Sequence, residues 1–291
     1  MLYRPCLPVV FILFAAFIFA AMTDKAAYRI FTKDGKPANY DDLLKTAQNA
    51  DIVLFGELHN NPIAHWLQLE LTKDLYQTAA ANLVLGAEMF EADNQLLLSE
   101  YLAGQISQKS FEDEARLWKN YTTDYKPLVE FAKTNNLPFI ATNIPRRYAS
   151  AVFNGGLDIL ATFSPEAQQY IAPLPISIDL TLPGYQSMLD MGGHGGSNAL
   201  NMPKAQAVKD ATMAHFILKN LQKGKHFIHY NGAYHSNNYE GIVWYLRKQN
   251  PALKIVTISC TEQPDVATLN EENKNIADFI ICTPENMTKT H

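Results

Sequence analysis

Six apolar runs of strand length alternate along this chain with longer amphipathic stretches, and that alternation restricts the fold more than any other feature. The runs are ADIVLFGE (50–57), ANLVLGAEMFE (81–91), LPFIATNIP (137–145), KHFIHYNGAYH (225–235), LKIVTISC (253–260) and ADFIICT (277–283). Strands separated by helices need crossover connections, so the expected fold is α/β, a mostly parallel sheet with helices on both faces. The first helix is signalled most clearly. Ile63, Trp66, Leu67, Leu71 and Leu75 recur at helical spacing, Asn61 is placed to cap them and Pro62 takes the first helical position.

Further helices are expected from Asn94 to Gly104, over 110–136 with a break near TTDYKP, over 204–224 with Gly224 as its stop, and over 237–250. Residues 110–136 then form a helical insertion. Residues 173–203, rich in Pro, Gly and Met, hold no sustained period and are expected to be a long functional or mobile loop. No linker composition separates 24 from 291, which gives a single domain. With 47% hydrophobic and 18% charged residues the chain can bury a large core.

The N-terminus carries Arg4, then the uncharged run CLPVVFILFAAFIFAA (6–21). It has the length of a signal-peptide core and is short for a spanning helix, so residues 1–23 read as a secretory signal and the protein as periplasmic or secreted. An uncleaved anchor is the alternative, and the only membrane association the sequence offers. Cys6 precedes the apolar core, which argues against a lipoprotein. Cys260 and Cys282 remain, as two buried thiols ahead of a bridge.

The net charge is −5, from 29 acidic and 24 basic side chains, and the densest basic spot is IPRRY at 144–148. Nucleic acid, which demands a basic stripe, is excluded as a partner. The sequence also lacks H-E-x-x-H, C-x-x-C-H, a Walker loop, G-x-G-x-x-G and G-x-S-x-G.

Ligands bind parallel sheets at the carboxyl ends of the strands. That rule selects Glu57 and His59, Glu88 and Glu91, Thr142 and Asn143, then Asn231, Tyr234 and His235. GELHNN and GAYHSN share G-x-x-H-x-N, each after an apolar strand and each entering a helix. Taken singly, Glu57 and His59 are explained as well by local capping. Taken as a pair with Glu88, the histidines suggest one shared site, able to ligate a metal or move protons. Glu91 reads as a helix-start carboxylate, His65 and His215 as structural, His226 and His229 as surface or core.

IVLFGELHNNPIAHWLQLEL, LVLGAEMFEADNQLLLSEYLAG, LPFIATNIPRRYA, AQAVKDATMAHFI and NGAYHS together resemble the ChaN-like haem-binding uptake family, over roughly residues 45–245. Its wider superfamily holds the Tiki metal-dependent proteases and is similar to erythromycin esterase-like proteins. The resemblance implies a haem-binding protein serving an outer-membrane haem or iron uptake system, and leaves open a homodimer. It carries Gly56 and His59, Gly232 and His235, and Glu88 onto the family's positions. A metal-dependent hydrolase is the alternative, with a divalent ion on His59, His235 and Glu88 and with Glu57 activating water. Haem needs an apolar slot and an axial Tyr, His or Met. The 173–203 segment offers Tyr185, Met188, Met191 and His194, with Tyr185 or His194 expected as the axial ligand.

Overall fold

Eight strands build one sheet in the order β2-β1-β8-β7-β3-β6-β4-β5, described by a computed structural model over residues 25–192 and 199–291. The strands are β1 (Arg29–Thr32), β2 (Pro37–Ala38), β3 (Ile52–Glu57), β4 (Leu83–Glu91), β5 (Phe139–Asn143), β6 (His226–Gly232), β7 (Ile255–Gln263) and β8 (Phe279–Pro284). β3 to β8 pair in parallel, as the alternation requires. β1 and β2 add an antiparallel edge. Strands of four and two residues carry too little pattern to be read from sequence.

The helices are α1 (Tyr40–Gln48), α2 (Pro62–Ala79), α3 (Gln95–Leu102), α4 (Gln108–Glu114), α5 (Lys126–Thr134), α6 (Arg146–Gly155), α7 (Pro165–Gln168), α8 (Pro183–Gly192), α9 (Met202–Asn220) and α10 (Ile242–Gln249). Side chains alternate across a strand, so β3 feeds two cores at once. Val53 and Phe55 pack with Leu67, Leu71 and Leu128 from α2 and α5. Ile52 and Leu54 pack with Met213, Ile217, Val243 and Leu246 from α9 and α10. Each fully buried aliphatic or aromatic side chain here contributes about 1.5–3 kcal/mol of transfer free energy.

α2 begins as its sequence predicts, with Asn61 Oδ1 accepting from the Ile63 and Ala64 amides at 3.1 Å. The helix expected over 110–136 is interrupted at 115–120 and turns through a single π-helical turn at Tyr121–Tyr125, so the break near TTDYKP is there and starts a few residues earlier. Residues 115–120 are pulled across the sheet edge, where Asn120 donates to the His59 carbonyl at 3.0 Å. Residues 173–203 are not uniformly irregular: α8 lies within them and buries Tyr185 and Met188. The last helix starts only at Ile242, because Gly241 turns at φ +52° and a Cβ there would meet the His235 carbonyl oxygen at 2.3 Å.

Cys260 and Cys282 are both free and buried. Cys282 pairs with Thr261 across β7 and β8, one position from Cys260, so the two thiols point to opposite faces and enter different cores. The expected signal segment 1–23 lies outside the described residues. No helix among the described residues is long and apolar enough to cross a membrane.

Candidate functional site

β3 is the centre of the parallel ladder, flanked by β6 and β7, and Glu57 at its end is the register partner of Gly232 at the end of β6. The two G-x-x-H turns therefore leave neighbouring strands side by side, one residue out of step. Gly56 is forced by this closeness: a Cβ there would lie 2.9 Å from both Ala233 Cα and the Ile258 carbonyl.

Glu57 is buried and fully engaged. Its Oε1 accepts from Tyr125 at 2.6 Å and faces His59 Nδ1 at 2.9 Å, while Oε2 accepts from Gln68 at 2.5 Å. Burial, then the Glu57 charge, push the Tyr125 phenol far above its usual range, so it stays a donor. His65 bridges this network outward, with Nε2 at 3.0 Å from the His59 carbonyl and 3.3 Å from Asp124. Its structural role is thus to hold the turn that carries His59.

His59 is the accessible imidazole, its side chain 40% exposed. Because Nδ1 is tied to Glu57, Nε2 is the nitrogen left available to a ligand, and it lies beside Gly232. The ring meets the edge of Trp118 at 4.9 Å between centroids. Burial opposes its charge, but the Glu57 hydrogen bond and the Glu88 charge outweigh that and raise its pKa.

His235 is buried between two carboxylates, Nε2 at 3.2 Å from Glu88 and Nδ1 at 2.5 Å from Asp210. Burial works against protonation, but Glu88 and Asp210 together push its pKa up to about 10. In turn the Glu88 carboxyl, which burial alone would raise, is held well below the usual range by His235, His59 and the Gly232 amide at 2.7 Å. At neutral pH His235 is an imidazolium donating from both nitrogens. Among the described residues, no group of three or more His, Cys, Asp or Glu side chains converges to hold a metal ion.

The other residues picked from sequence fall in different places. Tyr185 donates to Asp210 at 2.7 Å in the interior. Met188 is buried, and Met191's side chain and His194 lie outside the described residues. Tyr234 is exposed, its hydroxyl donating to the Gly184 carbonyl at 2.6 Å. Glu91 ends β4 and pairs with Arg116 at 2.9 Å. His229 is sealed in the sheet against Thr142 at 2.7 Å and Asn231 at 3.1 Å.

Two crevices open at this edge and share His59, His235 and His291 as walls. One, of about 660 Å³, runs between the two G-x-x-H turns toward Cys260 and Glu262. The other, of about 810 Å³, runs past Glu88 and Trp118 to Asn143, Arg146 and Lys209. Both are large enough for a drug-sized or cofactor-sized ligand. Sequence reasoning missed Asp210, Tyr125 and His291. For Asp210 the readable signal was a carboxylate set among the small and apolar residues Ala207, Val208, Ala211, Met213 and Ala214 of α9.

Fold and site together define a class: a parallel α/β domain with paired G-x-x-H turns set around a buried glutamate at its central carboxyl edge. The chain belongs to the haem-binding uptake family, the ChaN family of the Tiki superfamily, whose model matches residues 43–246. Among solved structures it is similar to ChaN of Campylobacter jejuni, described for cofacial haem binding. That similarity has TM-score 0.64 and 16% identity, covering 87% of this chain and 96% of that one. A succinoglycan biosynthesis protein follows at TM-score 0.51 and 11% identity, covering 89% and 94%. The erythromycin esterase EreC overlaps at TM-score 0.49 and 12% identity, covering 89% and 98%. At these identities the likeness is one of fold. A comparison with curated proteins returned no match.

Proposed function

We propose that this chain binds haem at the paired-turn edge and serves haem or iron uptake outside the cytoplasm. One observation carries the reading: His59 stands between two crevices with Nδ1 fixed by Glu57 and, among the described residues, no hydrogen-bond partner on Nε2. A carboxylate-oriented imidazole is the arrangement that suits iron ligation. The residues present fit the group. Trp118 offers an apolar wall beside the ring, and a crevice of about 810 Å³ opens past both. Haem would supply iron for exchange or delivery, and the protein's part is to hold it and shield it.

Within this reading His59 ranks ahead of Tyr185 as the iron ligand, since Tyr185 would have to leave Asp210 and lose a phenolic proton that burial and Asp210 hold tightly. The apolar run 6–21 supports an extracytoplasmic location. Hemin titration of the full chain, followed by the Soret band, tests the proposal. Saturable binding that His59→Ala weakens at least tenfold supports it. No saturable binding, or a variant indistinguishable from wild type, overturns it.

A second reading, hydrolysis at the same edge, is favoured by the Glu57–His59 pair, which also describes a general base. Turnover of a peptide or ester panel, with and without added Mn or Co ions and lost in His59→Ala, would establish it.

A further inference from the structure

Three imidazoles border both crevices, those of His59, His235 and His291. His235 is spent, with Nε2 on Glu88 and Nδ1 on Asp210. His59 keeps one nitrogen, Nε2, for a ligand. His291 has so far been given no task. It lies beyond residues 43–246, which carry the family match, so membership of the family assigns it nothing.

The residues that bring this ring to the edge also orient it. The Thr290 amide donates to the Asn60 carbonyl at 3.0 Å, so His291 follows a residue bonded to the turn that carries His59. The Thr290 hydroxyl donates to Asp124 at 2.8 Å, and His291 Nδ1 lies 3.3 Å from the same hydroxyl oxygen. A carboxylate can only accept, and its contact is the shorter one, so the hydroxyl proton goes to Asp124. The Thr290 oxygen then accepts from His291 Nδ1–H, which leaves the lone pair on Nε2. Among the described residues that nitrogen has no hydrogen-bond partner. Asp124 also accepts from Asn120 at 2.7 Å, and Asn120 donates to the His59 carbonyl at 3.0 Å. One polar network therefore supports both rings.

His59 is oriented in the same sense, through Nδ1 on Glu57 at 2.9 Å. Two imidazoles, each with Nδ1 tied and Nε2 unpartnered, thus line one cavity of about 810 Å³ beside Trp118. An imidazole whose second nitrogen is held by an outer hydrogen bond is the usual protein ligand for iron. A purely anchoring role for the His291 ring is superfluous, because Thr290 and Lys289 already hold the segment.

We propose that His291 is a second iron-ligating residue of this site, offering Nε2 to the axial position that His59 leaves open. This rests on the haem reading and makes the bound state one with two imidazole ligands. Ferric haem iron with two imidazoles is six-coordinate and low-spin, whereas one imidazole alone leaves it high-spin.

Absorption and electron paramagnetic resonance spectra of the full chain loaded with ferric hemin test the assignment. Wild type should be low-spin. His291→Ala, at an exposed position, should keep hemin through His59 but turn high-spin, and added imidazole should restore the low-spin spectrum. His215→Ala, on α9 outside both crevices, should match wild type. A high-spin wild type, or a His291→Ala complex as low-spin as wild type, overturns the assignment and leaves haem binding standing. Wild type without saturable hemin binding overturns the haem reading and the assignment together.

Discussion

The imidazole of His59 rests against the backbone of Gly232, so closely that a Cβ at Gly232 would stand 2.8 Å from both Cε1 and Nε2. The two G-x-x-H turns are therefore a single unit, in which the glycine of one is the seat of the histidine of the other. Gly232→Ala should push the His59 ring off Glu57 and Trp118. An overpacked buried position costs about 1–3 kcal/mol of stability. The thermal midpoint should fall accordingly, and hemin affinity should fall at least tenfold, as in His59→Ala. A Gly232→Ala protein that binds hemin as wild type does would show that this seat is not needed.

Asp210 joins two buried partners, accepting from Tyr185 at 2.7 Å and lying 2.5 Å from His235 Nδ1. Asp210→Ala leaves the His235 imidazolium with Glu88 alone and the Tyr185 phenol without this acceptor, and breaking a buried charge pair costs about 3–5 kcal/mol. Asp210→Asn also loses the charge but keeps an acceptor for Tyr185, and should cost less by about 1 kcal/mol, the worth of that hydrogen bond. Urea unfolding midpoints of the two variants check the ranking. Equal midpoints would show that the acceptor offered to Tyr185 contributes nothing.

The strand ends of this site were legible because parallel-sheet geometry sends Glu57, His59, Glu88 and His235 to one edge whatever the helices do. The partners that give them their chemistry were not. Gln68 and Tyr125 reach Glu57 from α2 and the turn before α5, and their own helical periodicity says nothing of a carboxylate across the sheet. The 115–120 stretch looks helical in sequence, yet its Trp118 and Asn120 contacts to the His59 turn are tertiary and override local propensity. The β1–β2 edge is too short to carry a period, and His291 follows no pattern at all.

Two buried histidines set opposite pH limbs. Burial lowers the His229 pKa to about 4, below its unfolded value near 6.5. Its contribution is present above about pH 6.5 and is lost as pH falls toward 4, by about 3 kcal/mol. For His235 the folded pKa is raised, to about 10, so its contribution is full below about pH 6.5 and fades as pH rises through 10. Stability should therefore peak near pH 6.5. His229→Gln should flatten the acid limb alone and His235→Gln the alkaline limb alone, read from urea midpoints between pH 4 and 10. Parallel curves for wild type and both variants would assign the limbs elsewhere.

The segment after β8 returns to the site and is tied there at three points. The Thr290 amide donates to the Asn60 carbonyl at 3.0 Å, its hydroxyl donates to Asp124 at 2.8 Å, and Lys289 pairs with Glu262. These ties place His291 on the wall of both crevices. Asp124 also faces His65, so the segment is wired into the network that orients His59. Thr290→Val keeps the shape and removes the hydroxyl, at a cost of about 1–2 kcal/mol for a hydrogen bond to a charged group. The opening equilibrium of the segment should shift by that amount, so the Thr290-position amide should exchange with deuterium roughly 5–30 times faster. Amides of β3 and β6 should be unaffected. Unchanged exchange at residue 290 would show that the Asn60 bond and the Lys289 pair hold the segment without Asp124.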